Sequence, residues 1–137
     1  MSAPRTKVRM WQVYIPAPDD FINANQRMHR VAVATRTRNW RYAAATYARS
    51  QKLPKLQRAR IVAELHFADN RARDDHNYFG TVKAIIDGLV GDYGLLPNDS
   101  AAYLTGVELR RGAKFDAGTQ RYGPSGAVTI IIHEVDE

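Results

Sequence analysis

The chain has 137 residues, 45% hydrophobic and 25% charged, with a net charge of +6 and no cysteine. This composition suits one globular domain over residues 1–137; it excludes disulfides and thiolate chemistry, and no apolar run is long enough to span a bilayer. The N-terminal stretch lacks the apolar centre of a secretory signal, so a cytoplasmic location is expected.

In chain order, residues 7–15 alternate as a strand, with Trp11, Val13 and Ile15 on one face. Pro16, Pro18 and the aspartates after them are expected to end it. The polar run from Phe21 to Arg30 reads as a loop. A helix is predicted over residues 37–51, with Trp40, Ala43, Ala44 and Tyr47 on its buried face. Residues 60–68 form a second strand, with Ile61, Ala63, Leu65 and Phe67 facing the core. A second helix follows from about His76 to Tyr93. Its apolar stripe is Tyr78, Val82, Ile85, Ile86 and Leu89; His76, Gly80, Lys83 and Asp87 fall on the opposite face. Gly80 suggests close approach by DNA or by a partner subunit. Residues 102–111 read as a strand, a long Gly-rich connection follows, and residues 127–135 read as the last strand. The order βαβαββ implies the α+β class, a mixed sheet with about two main helices packed on it.

Charge is distributed unevenly. No acid lies between Asp20 and Glu64, a stretch that holds ten arginines and lysines, whereas Glu64, Asp69, Asp74, Asp75, Asp87, Asp92 and Asp99 cluster in the middle. With a pI near 9.8, this points to a polyanionic partner, nucleic acid foremost. Asp74 and Asp75 precede the second helix, where one aspartate would serve as a cap. Two in a row, with Asp99 downstream, also supply the hard oxygen ligands that Mg²⁺ prefers. Lys83 would then neutralise transition-state charge. Asp87, four residues after Lys83, is either a further ligand or the partner of that lysine.

These segments resemble the RusA-type Holliday junction resolvases, a family encoded largely by phages and prophages. The likeness rests on Arg73-Asp74-Asp75-His76-Asn77, then Lys83, then Asp87-Gly88-Leu89, then Leu96-Pro97-Asn98-Asp99. It extends loosely to the N-terminal stretch carrying Asn23, Asn25, Arg27 and His29. The resemblance implies a homodimer that binds four-way DNA junctions and makes paired symmetric nicks with Mg²⁺ or Mn²⁺. It implies Asp74, Lys83 and Asp99 as catalytic residues. Asp74, Asp75, His76, Asp87 and Asp99 are the candidate metal ligands. Asn25, Arg27, His29, Arg36, Arg38, Arg41, Arg73 and Asn77 are the candidate DNA contacts.

One departure stands out, because the family pattern has an aspartate where this chain has His76. Either Asp75 supplies that carboxylate, or His76 ligates the metal, which would favour Mn²⁺, or contacts phosphate, or the protein binds junctions and cuts them poorly. The last option leads to the alternative of a non-catalytic junction-binding protein with the same fold.

Overall fold

A computed structural model describes residues 9–116 and 123–136. Lys7 and Val8 of the expected first strand, and residues 117–122 of the Gly-rich connection, lie outside the described residues. Strand β1 (Met10–Pro16) keeps the expected alternation, with Val13 and Ile15 buried and Met10 and Tyr14 exposed. Pro16 belongs to the strand and pairs with Ala127. It is tolerated because β1 is an edge strand and Pro16 its last residue.

Helix α1 (Arg30–Gln51) begins seven residues before the predicted start. Its cap is His29, whose Nδ1 accepts from the Val31 amide at 3.2 Å. The Thr35 and Thr37 hydroxyls donate to the carbonyls of Val31 and Val33, which satisfies both hydroxyls within the helix. Trp40, Ala43 and Ala44 are buried as expected, and Ala48 is buried beside them; Tyr47 is 39% exposed, contrary to expectation. Lys52 ends the helix in the left-handed region, φ 55°.

Strand β2 (Ala59–His66) follows, and then a helical segment in three parts. A 3-10 turn (Asp75–Tyr78) leads into helix α2 (Phe79–Ile86), which passes into a π-helical stretch (Asp87–Tyr93). The expected continuous helix is therefore kept in extent but not in winding. Its apolar stripe is buried throughout. Strand β3 (Leu104–Arg111) starts two residues later than expected, because the Tyr103 and Leu104 amides donate to the Ser100 carbonyl in a turn. Strand β4 spans Ala127–Glu134.

The sheet order is β1-β4-β2-β3. β4 runs antiparallel to both neighbours, and β3 runs parallel to β2, so the fold is α+β with a mixed sheet and two main helices. Val13, Ile130 and Ala63 stand side by side across three strands. With Ile15, Ile61, Leu65, Val128 and Ile132 they form the sheet face that joins both helices in one core. α1 and the π-helical stretch cross very closely at Gly88. A Cβ there would lie 2.2 Å from the Arg41 carbonyl oxygen and 3.1 Å from the Ala44 Cβ. Among the described residues no helix is long and apolar enough to cross a membrane.

Candidate functional site

Lys83 projects from the exposed face of α2. Its Nζ donates to Asp87 Oδ1 at 2.7 Å and to Asp99 Oδ2 at 3.1 Å. The first contact is the i, i+4 pairing foreseen for Asp87; the second joins residues sixteen apart. Hydrogen bonding to Asp87, and then to Asp99, holds the Lys83 ammonium above its ordinary range, so it is charged. One ammonium against two carboxylates leaves the cluster negative. Both aspartates line an open pocket of about 350 Å³ with Arg41, Val90, Gly91, Pro97 and Asn98.

The backbone around this pocket is fixed on every side. Asp87 opens the π-helical stretch, a winding found often at functional positions. Gly94, at φ 88°, ends that stretch. The Leu95 amide donates to the Leu89 carbonyl, and the Leu56 amide to the Leu95 carbonyl at 2.8 Å. Tyr93 is clamped to the α1–β2 connection: its hydroxyl donates to the Leu53 carbonyl, and Lys55 lies over its ring. Asn98 accepts from the Ser100 amide at 2.8 Å and so shapes the turn that carries Asp99. Arg41 reaches from α1 to Asp92 through a two-pronged pair, Nε to Oδ2 at 2.6 Å and Nη2 to Oδ1 at 2.8 Å.

Asp74, Asp75 and His76 lie at the other end of the helical segment. Asp74 caps the 3-10 turn, its Oδ1 accepting from the His76 amide at 3.0 Å. The rise per residue of these helices puts Asp74 on the order of 15 Å from Lys83 along the axis. The expected metal set is thus divided within one chain, with Asp87 and Asp99 together and Asp74, Asp75 and His76 apart. Among the described residues no three His, Asp or Glu side chains gather to hold a metal.

The polar N-terminal loop docks beside this second group. Thr81 is fully buried, and its hydroxyl accepts from the Ile22 amide at 2.8 Å while facing the Ile22 carbonyl at 3.2 Å. The Ala24 amide donates to the Asn77 carbonyl at 2.8 Å. Asn23 faces the Tyr78 hydroxyl and turns the chain by accepting from the Asn25 amide. A Cβ at Gly80 would lie 3.0 Å from Ile22 Cγ2, close enough that the isoleucine would have to shift by a few tenths of an ångström, so the close approach comes from this chain's own loop. Asn25 and Arg27 are left exposed on this loop.

The candidate DNA contacts divide by environment. Arg36 is only 17% exposed at its side chain and anchors the loop: it pairs with Asp19 and Asp20 and contacts Gln26, Met28 and the Phe21 carbonyl. Arg73 is bound to Asp69 at 2.8 and 3.2 Å and lies over the Phe67 ring. Hydrogen bonds from Arg73 first, and from the Arg71 backbone next, hold the Asp69 carboxyl far below its ordinary range. Arg111 completes this clamp by donating to the carbonyls of Asp69 and Arg71. His29 is committed to its cap. Arg38 is exposed on α1 beside Tyr42 and Arg49.

Sequence reasoning missed Thr81, Asp92 and Gly88 as organisers of the site. Thr81, Ala84 and Gly88, small residues at i, i+3 and i+7, carried the signal for a close helix contact. No protein-family model matches the chain, and no curated protein matches it.

Proposed function

We propose that the chain is a metal-dependent, structure-selective endodeoxyribonuclease of the RusA type that nicks four-way DNA junctions as a homodimer. The observation that carries this reading is Lys83 held between Asp87 and Asp99, two carboxylates that line one open pocket. Mg²⁺ and Mn²⁺ are commonly held by one or two carboxylates, with water and substrate phosphate completing the shell, so this donor set fits such an ion. When bound, it would supply water activation and charge stabilisation for phosphodiester hydrolysis. Lys83 orients both carboxylates and presents a fixed positive charge to a phosphate entering the pocket. Arg41 braces the wall through Asp92. The exposed Asn25 and Arg27 lie on the loop that the Ala24 amide ties to the Asn77 carbonyl, where they can meet phosphates.

A labelled four-way junction tests this. Asp99→Asn is expected to abolish nicking in Mg²⁺ and in Mn²⁺ while gel-shift binding in Ca²⁺ persists. Full nicking by that variant in both metals would refute the site. The placement of Asp74 as a cap, a helix length from Asp87 and Asp99, favours the second reading of a junction-binding protein without cleavage. Under that reading the unaltered protein binds the junction and leaves it intact in either metal.

A further inference from the structure

On the outer face of α1, Arg38, Tyr42, Ala45 and Arg49 recur at i, i+4, i+7 and i+11, which aligns them along one side of the helix. With Arg41 and Asp92 they border a groove of about 400 Å³ whose floor is the buried Ala45. The acid of this groove, Asp92, is held at both oxygens by Arg41 and is also within electrostatic reach of Arg49. Arg38 and Arg49 form no ion pair among the described residues. Between them Tyr42 stands 70% exposed, the most exposed large hydrophobic side chain among the described residues.

We propose that this face of α1 binds an unpaired nucleic-acid strand, with Arg38 and Arg49 on phosphates and Tyr42 stacked on a base. The proposal rests on the DNA-binding part of the reading above and is independent of cleavage. Two arginine forks match phosphate oxygens in charge and shape. Eleven residues of helix separate them by about 16 Å, so the two forks address two different, non-adjacent phosphates of one strand. A tyrosine is rigid, so stacking it on a base immobilises few torsions. Duplex DNA buries its base faces in the stack, whereas an unpaired strand offers them, and an aromatic platform in a cationic groove is the pairing that single strands use. An acidic peptide would use the arginines and leave the aromatic ring without a partner, since the groove floor is a shallow alanine.

The test is anisotropy of a labelled oligothymidylate of about ten nucleotides with the full chain in EDTA, where no metal-dependent cleavage occurs. Arg38→Gln with Arg49→Gln should flatten the log-log salt dependence by about 1.4, at ~0.7 for each phosphate no longer neutralised. Tyr42→Ser should weaken binding at least about five-fold, the low end of one stacking interaction, at an unchanged salt slope. Tyr42→Phe should bind as the unaltered chain does, and Arg110→Gln, on β3, should do the same. All these side chains are exposed, and far-UV circular dichroism checks that the fold is kept. Unchanged affinity in Tyr42→Ser, an unchanged slope in the double variant, or tighter binding of polyglutamate than of the oligonucleotide would each overturn the proposal. Junctions left un-nicked, alongside the expected oligonucleotide pattern, would remove the nuclease reading and leave this one standing.

Discussion

Gly88→Ala puts a methyl group where two helices nearly touch. The new Cβ would lie 2.2 Å from the Arg41 carbonyl oxygen, 3.0 Å from its carbonyl carbon and 3.1 Å from the Ala44 Cβ, against an ordinary contact of at least 3.4 Å. The obstacle is backbone, which cannot rotate aside, so α1 and the π-helical stretch must part by about 1 Å. Overpacking of this kind costs ~1–3 kcal/mol, and the upper end applies here. Alanine returns up to ~1 kcal/mol through its helix propensity, for a net loss of about 2 kcal/mol. In a chain of this size each kcal/mol moves the melting temperature by roughly 3–5 °C, so a fall of about 6–10 °C is expected by circular dichroism. Asp87 adjoins Gly88 in sequence, so junction nicking should fall as well. Gly91→Ala is the matched control: its Cβ would meet only Arg41 Nη2 at 3.7 Å, an ordinary contact. It should be neutral or stabilising by up to ~1 kcal/mol. Equal melting temperatures for the two variants would refute the packing argument.

Asp74→Asn keeps the cap, since asparagine also serves there, so the melting temperature should hold; lost nicking would show that the carboxylate acts in catalysis, and normal nicking that it only caps. The Asp69 carboxyl is depressed by Arg73, so its contribution to stability is complete above the ordinary aspartate pKa of ~3.9 and fades as pH falls below it. Asp69→Asn should therefore lower stability at pH 7, and the gap to the unaltered chain should close in acid, as followed by urea unfolding across pH. Arg36→Ala should cost about 1–2 kcal/mol by removing bonds from a charged donor, with little change in the salt dependence of junction binding, because Arg36 faces the loop. Sedimentation equilibrium at micromolar concentration should give twice the 15.4 kDa chain mass; a monomer that still nicks both strands would rule out the paired-site arrangement.

The strands were legible because their signal is local. Alternation placed Val13, Ile15, Ile61, Ala63 and Leu65 on the buried face, and the 3.6-residue stripe from Tyr78 to Leu89 was equally plain. The start of α1 was not, because the β-branched Val31, Val33 and Thr35 carry little helical signal without the His29 cap and the Arg36 anchor, both tertiary or geometric facts. The pairing of Lys83 with Asp87 could be read from spacing, whereas its reach to Asp99 depends on the course of the turn. Charge counting treated the arginines alike. Only contacts distinguish Arg36 and Arg73, which hold loops in place, from Arg38, which faces outward.

The position of β4 has a consequence for biogenesis. Among the described residues β4 is the one strand paired to both β1 and β2, and it is made after β1, β2 and β3. Until residues 127–134 leave the ribosome, β1 has no partner, and β2 exposes the edge that β4 will occupy. Such unpaired edges invite association between nascent chains. A ribosome stalled ahead of residue 127 should therefore display a protease-sensitive β1, and release of the last strand should close the sheet in one cooperative step.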